Sequence, residues 1–199
     1  MLYKSIILVF AFYSFGFGQV PTNAIDICPL MNGENIPKSV VKDKNGIDIS
    51  LNDVISKKPT VLIFFRGNWC PYCNSHLGGI QKIEKEIESL GYQTIAISGD
   101  KLNEIPNTES KNKLTYSVYS DSKMRTQIDF GIAYRNEETI KNYNGLLQKA
   151  SGEDHGMLPV PSLFIINTSG KILFSYLNPN ITERIDEQVV LAVLKTLKK

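Results

Sequence analysis

The sequence predicts an α/β fold, a mixed central sheet flanked by helices with a β-hairpin extension at its N-terminal end. Three observations carry this. Val61–Phe65 is a continuous apolar run, as expected of a strand buried on both faces. From Pro71 the period changes, and Leu77, Ile80, Ile83, Ile87 and Leu90 fall on one face of a helix. Strand-like and helix-like segments then alternate to the C-terminus, the pattern of parallel central strands joined by crossover helices.

The elements follow in order. Residues 19–38 read as an irregular lead-in, broken by Pro21, Pro29, Gly33 and Pro37. Val40-Val41 and Ile47–Leu51 flank Asp43-Lys44-Asn45-Gly46, and Asn-Gly between apolar runs signals a hairpin. After the strand at Val61–Phe65, the helix opening at Pro71 stops at Gly91. Thr94–Ser98 and Tyr116–Tyr119 read as strands, with room for a short helix in the polar stretch 101–113 between them. Lys123–Phe130 reads as a short helix stopped by Gly131. Residues 133–157 show no clear period and hold Gly145, Gly152 and Gly156, which predicts an inserted loop or short-helix region. Leu163–Ile166 and Lys171–Leu177 are strands joined by Asn167-Thr168-Ser169-Gly170. Ile185, Val189, Val190, Val193, Leu194 and Leu197 mark a C-terminal amphipathic helix.

Composition bounds the function. Among 199 residues, 42% are hydrophobic and 21% charged, which is ordinary globular composition. Lys+Arg 22 against Asp+Glu 20 is too balanced for a chain held to nucleic acid by backbone charge. Lys4, the uncharged apolar stretch Ser5–Phe17 and the small residues Gly16 and Gly18 before Gln19 read as a secretory signal peptide, residues 1–18. An uncleaved anchor is the competing reading, but the apolar run is shorter than the roughly 20 residues of a bilayer span. The expected organisation is therefore a signal peptide (1–18), the lead-in (19–38) and one domain (39–199). The mature protein is expected to be exported, to periplasm or medium, with no stable membrane insertion after cleavage.

The chemistry is expected at Cys70 and Cys73. Cys70-Pro71-Tyr72-Cys73 sits where a buried strand becomes a helix. A thiolate at a helix N-terminus faces unpaired N–H groups and the positive end of the dipole. In such motifs the thiol pKa falls from about 8.5 to roughly 3.5–7.5, which makes Cys70 a nucleophile near neutral pH. Cys73, one turn on, is placed to resolve a mixed disulfide. A structural disulfide is an alternative, although so short a loop gains little entropy. A zinc half-site with His76 is another, but no second cysteine pair follows. Covalent haem attachment is excluded, because residue 74 is asparagine. No cofactor or metal is expected.

Trp69-Cys-Pro-Tyr-Cys73 between an apolar strand and an amphipathic helix resembles the thioredoxin superfamily, with the Pro-Tyr dipeptide of glutaredoxin. Asn32–Pro37, the hairpin and FFRGNWCPYC resemble the start of peroxiredoxin-like proteins of the alkyl hydroperoxide reductase/thiol-specific antioxidant family. Asp121–Gly131 resembles that family's strand-end aspartate and following helix. Leu158–Asn167 followed by Gly170-Lys-Ile resembles the pre-hairpin strand of both families. The resemblance spans roughly residues 32–197 and implies a thioredoxin-like fold. It also implies a cis-proline at Pro161, which would free the Val160 backbone to pair with an incoming chain.

One departure is plain. Typical peroxiredoxins carry Pro-x-x-x-Thr/Ser-x-x-Cys, and here Gly67 stands three residues before Cys70 and Ile63 seven before. Arg66 is the nearby basic residue able to stabilise a thiolate or peroxide, while Arg125 and Arg135 read as solvated charges. Trp69 and Tyr72 are expected to form the rim and touch the partner. His76 reads as a surface residue, His155 as within reach of the site, and Cys28 as a buried thiol.

Three functions remain open at this level. The first is an exported thiol–disulfide oxidoreductase, with a thiol or disulfide protein as partner. The second is a peroxidase for hydroperoxides, served by an external thiol reductant and passing through Cys70 sulfenic acid. The third is a non-catalytic binding module with a structural disulfide.

Overall fold

The computed structural model describes residues 20–198, so the expected signal peptide lies outside the described residues. The lead-in runs to a hairpin, β1 (Val40–Lys42) and β2 (Asp48–Ser50). Its turn is held by the Asp43 carboxylate, which accepts the N–H groups of Asn45 (2.9 Å) and Ile47 (2.8 Å). Gly46 supplies the positive φ of +81° that the turn requires. The chain then enters α1 (Leu51–Lys57), which the hydrophobic pattern did not lead us to expect. The local chemistry explains it: Ser50 caps the helix, its hydroxyl accepting from Asp53 N–H at 3.2 Å, and Leu51 and Ile55 are buried.

Beyond it come β3 (Thr60–Phe65), α2 (Pro71–Ser89), β4 (Gln93–Ser98), α3 (Ile105–Asn112), β5 (Ser117–Ser120) and α4 (Arg125–Asp129). Next are β6 (Ala133–Tyr134), α5 (Glu137–Ser151), β7 (Leu158–Pro159), β8 (Ser162–Ile166), β9 (Ile172–Leu177) and α6 (Glu187–Leu197). The main sheet runs β2-β1-β5-β4-β3-β8-β9. Its centre, β5-β4-β3, is parallel, and the flanking pairs are antiparallel. This is the mixed sheet expected from the alternation.

Side chains on β3 alternate between two cores, as the pleat demands. Val61, Ile63 and Phe65 face Leu77, Ile80 and Ile87 of α2 and Val190, Leu191 and Leu194 of α6. Leu62 and Phe64 face Leu51, Ile55, Phe130 and Phe164. Phe64, Phe130 and Phe164 meet edge-on or tilted, with ring centroids 4.8–6.0 Å apart. The lead-in closes the outer edge of the sheet. Gly33 N–H donates to Ile172 O at 2.8 Å, and Ile172 N–H returns the bond to Glu34 O at 2.9 Å.

Residues 133–157 depart from expectation. They hold one 15-residue helix, α5, between the strands of the small β6–β7 ribbon, longer than the loop or short helix expected. Ile140, Tyr143, Leu147 and Ala150 recur at helical spacing, but Gly145 within the helix and the glycines after it obscured the pattern. Its stop is conventional: Gly152, at φ +78°, donates to Gln148 O at 2.8 Å. Among the described residues no helix is long and apolar enough to cross a membrane.

Phe164 is fully buried against both other phenylalanines. Phe164→Ala should therefore cost about 3–5 kcal/mol of stability, read from the urea unfolding midpoint.

Candidate active site

Strand β3 leaves the sheet at Phe65, and five residues later Cys70 is the N-cap of α2. Pro71 takes the first helical position, where its missing N–H costs nothing. Cys70 Sγ accepts the Cys73 N–H at 3.4 Å. Both sulfurs are fully buried, and all three cysteines are free thiols.

The pair is electrically unequal. Cys70 is brought down to about 6, first by the hydrogen bond from the Cys73 thiol, then by the Cys73 N–H and the charges of Arg66 and Arg184, with burial opposing. Cys73 is pushed well up by burial and by the neighbouring Cys70 sulfur. One site thus holds a ready thiolate beside a protonated thiol.

The loop that presents Cys70 is clamped. Asn68 N–H donates to Asp100 Oδ2 at 2.8 Å, and Ser98 Oγ donates to the same oxygen at 3.1 Å. Asn74 Nδ2 donates to Asn68 O (2.7 Å) and Cys70 O (3.0 Å), and is itself steadied by Asn112. Gly67 has a φ of +148°. A Cβ there would lie 2.5 Å from Trp69 Nε1 and 2.6 Å from Asp100 Oδ1. A side chain at this position would have to displace Trp69 or Asp100.

Arg66 is 6% exposed and lies 4.8 Å from the Trp69 ring centre and 5.6 Å from that of Tyr143. Its Nε is buried without a hydrogen-bond partner. Trp69 is half-buried and also leans on the cluster of Leu147, Leu158 and Val160. Helix α5 therefore roofs the site, a role that sequence reading missed because Tyr143 is remote in the chain. Tyr72 is exposed at the rim.

Arg184, in the segment before α6, was also missed. Its Nη2 donates to Cys73 Sγ at 3.4 Å, and Nη1 donates to Ile181 O (2.9 Å) and Glu183 O (2.6 Å). It lies 111 residues from Cys73, and no local signal marks it. Asp100 was missed too; burial raises its carboxyl to about 6.

Several expectations need correction. The Val160–Pro161 bond is not cis. Val160 N–H is spent on Ile132 O at 2.8 Å and its carbonyl accepts from Ser162 Oγ, so the Val160 backbone offers no free edge. Pro161 is buried beside it. His76 is half-buried rather than on the surface, with a partnerless buried Nε2, and burial followed by the Arg184 charge lowers it to about 4. Cys28 is exposed, not buried, because the lead-in crosses over Gly131 with only its backbone. His155 shares a pocket lining with Arg66 and Trp69, but both of its ring nitrogens are held by backbone, at Ser122 O and Met157 N–H. Arg125 and Arg135 are exposed. Among the described residues no cluster of three or more His, Cys, Asp or Glu side chains is arranged to hold a metal.

Comparison with known proteins adds a family. The sequence model of the AhpC/TSA family matches residues 32–175. A 1-Cys peroxiredoxin of Medicago truncatula is 29% identical over 175 residues, 84% of this chain and 72% of that protein. The thiol-disulfide oxidoreductase ResA of Bacillus cereus is 26% identical over 155 residues, 78% and 75% of the two chains. Among solved structures, peroxidoxin BcpB of Mycobacterium tuberculosis superposes with a TM-score of 0.68 at 18% identity, covering 85% of this chain and 99% of its own. Reduced Prx3 of Vibrio vulnificus in complex with hydrogen peroxide superposes at 0.70 and 14% identity, covering 83% and 99%. At these identities the structures show a shared fold.

Asp100 yields a pH prediction. Its folded-state pKa is raised, so its contribution to stability is fully present below about 3.8 and lost as pH rises through about 6. Asp100→Asn should therefore gain stability relative to the parent at pH 8 compared with pH 4, on the order of 2 kcal/mol in urea unfolding.

Proposed function

Because the chain belongs to the AhpC/TSA family, and so to the thiol-dependent oxidoreductases, we propose that it is an exported thiol–disulfide oxidoreductase of peroxiredoxin-like type. The observation that carries this is the placement of the pair: Cys70 caps α2 and its Sγ accepts the Cys73 N–H at 3.4 Å, and hydrogen bonds from the Cys73 thiol and N–H bring the Cys70 thiol down while burial pushes the Cys73 thiol up. The Cys70 thiolate attacks one sulfur of a partner disulfide. The S–S bond breaks, one partner sulfur leaves as a thiolate, and Cys70 is joined to the other in a mixed disulfide. Cys73 gives up its proton to solvent and attacks Cys70 Sγ. The second partner thiolate leaves, and the Cys70–Cys73 disulfide forms. The partner gains two electrons, and an external thiol reductant restores the pair. Because both sulfurs are covered in the reduced protein, the partner must displace part of the rim, where Trp69 and Tyr72 stand. Residues 1–18, as a signal peptide, would deliver residues 19–38 and the domain 39–199 to the periplasm or medium.

The family membership supports a second reading, reduction of hydroperoxides. Here the Cys70 thiolate attacks a peroxide oxygen, the O–O bond breaks, and an alcohol or water leaves. Cys73 then condenses with the sulfenic acid, releasing water. Arg66 would stabilise the oxygens. We place this second because Gly67 supplies no hydroxyl to orient the peroxide and its packing leaves no space for one.

Stopped-flow oxidation of the reduced protein, read on the sole tryptophan Trp69, separates the two. Disulfide exchange predicts a fast phase with a peptide disulfide, no phase in Cys70→Ser, and a trapped mixed disulfide in Cys73→Ser. A peroxide phase faster than the disulfide phase would move the assignment to peroxidase. Silence toward both oxidants would overturn each reading.

A further inference from the structure

We propose that Arg184 is a positioning residue for the resolving step, holding Cys73 as the thiolate that attacks the mixed disulfide. The inference rests on the dithiol reading above and deepens it. Its basis is geometry. Arg184 Nη2 points at Cys73 Sγ from 3.4 Å, while Nη1 is tied to the carbonyls of Ile181 and Glu183. The guanidinium is thus pinned by its own loop and aimed at one sulfur. Among the described residues no carboxylate lies within ion-pair distance of Arg184. A cation with no carboxylate partner, fixed against a fully buried thiol, has the Cys73 sulfur as the nearby group that can become an anion.

The step needs this help. Burial and Cys70 hold Cys73 in its protonated form, and the groups acting against them are the Arg184 charge and the Arg66 backbone N–H. Once Cys70 is bonded to a partner sulfur it carries no negative charge, so its repulsion of the Cys73 thiolate disappears and the Arg184 attraction remains. Cys73 then loses its proton to solvent, attacks Cys70 Sγ and expels the partner thiolate. His76, one turn further along α2, is kept neutral by burial and by the same guanidinium. It therefore adds no competing positive charge near Cys73.

The test uses the full reduced chain carrying Cys28→Ser, which removes the exposed third thiol, and an aromatic disulfide that releases a coloured thiolate at each step. The first release reports attack by Cys70, the second resolution by Cys73. Arg184→Gln should slow the second release about 10-fold at pH 7 and move its pH midpoint upward, with a smaller change in the first. Arg184→Lys should recover part of the rate. Arg184→Met, which keeps the apolar stem, serves as the neutral variant should Arg184→Gln not fold, as judged by near-UV circular dichroism. A folded neutral variant whose second release keeps its rate and midpoint would overturn the proposal. If Cys73→Ser retains the second release, the dithiol reading itself fails, and that outcome is distinct.

Discussion

The structure depends on one junction, the turn by which a strand buried on both faces becomes a helix capped by Cys70. Strand β3 has no exposed face, so its C-terminal end must leave through the top of the sheet. The helix begins there with its first N–H groups unpaired, and the Cys70 sulfur accepts one of them. The same junction fixes Cys73 one turn later against the core formed by α2 and α6. The two buried thiols thus differ in surroundings: Cys70 caps the helix, while Cys73 lies one turn inside it beside Arg184.

Around that junction the protein gathers charged side chains, Arg66 and Asp100 among them buried. Arg66 sits over two aromatic faces, which tolerate a cation without neutralising it. Arg184 approaches from the opposite end of the chain and meets Cys73. Asp100 clamps the loop through Asn68 N–H, and burial raises its carboxyl to about 6. A fully ionised carboxylate there would oppose the Cys70 thiolate.

Much of this was legible in the sequence where the signal is local. Val61–Phe65, the stripe from Leu77 to Leu90 and the hairpin turn at Gly46 each encode their element within a few residues, and the Cys70–Cys73 spacing at a strand-to-helix junction directs attention to the two thiols. The lost pieces are those that depend on distance along the chain. Helix α5 is interrupted by Gly145, which hid it in the sequence, yet it delivers Tyr143 to Arg66. Arg184 and Asp100 reach the site only through tertiary folding. Proline position misled in the same way: Pro161 stands where the resemblance implies, but Ile132 already occupies the Val160 N–H, a pairing visible only once the β6–β7 ribbon exists.

The most direct test of the account follows the 13Cβ shifts of both active-site cysteines in the reduced protein between about pH 4 and pH 9. The account predicts that Cys70 titrates near 6, while Cys73 stays protonated through that range. A Cys70 that remains a thiol until the ordinary range of about 8.5, or a Cys73 that loses its proton first, would contradict it.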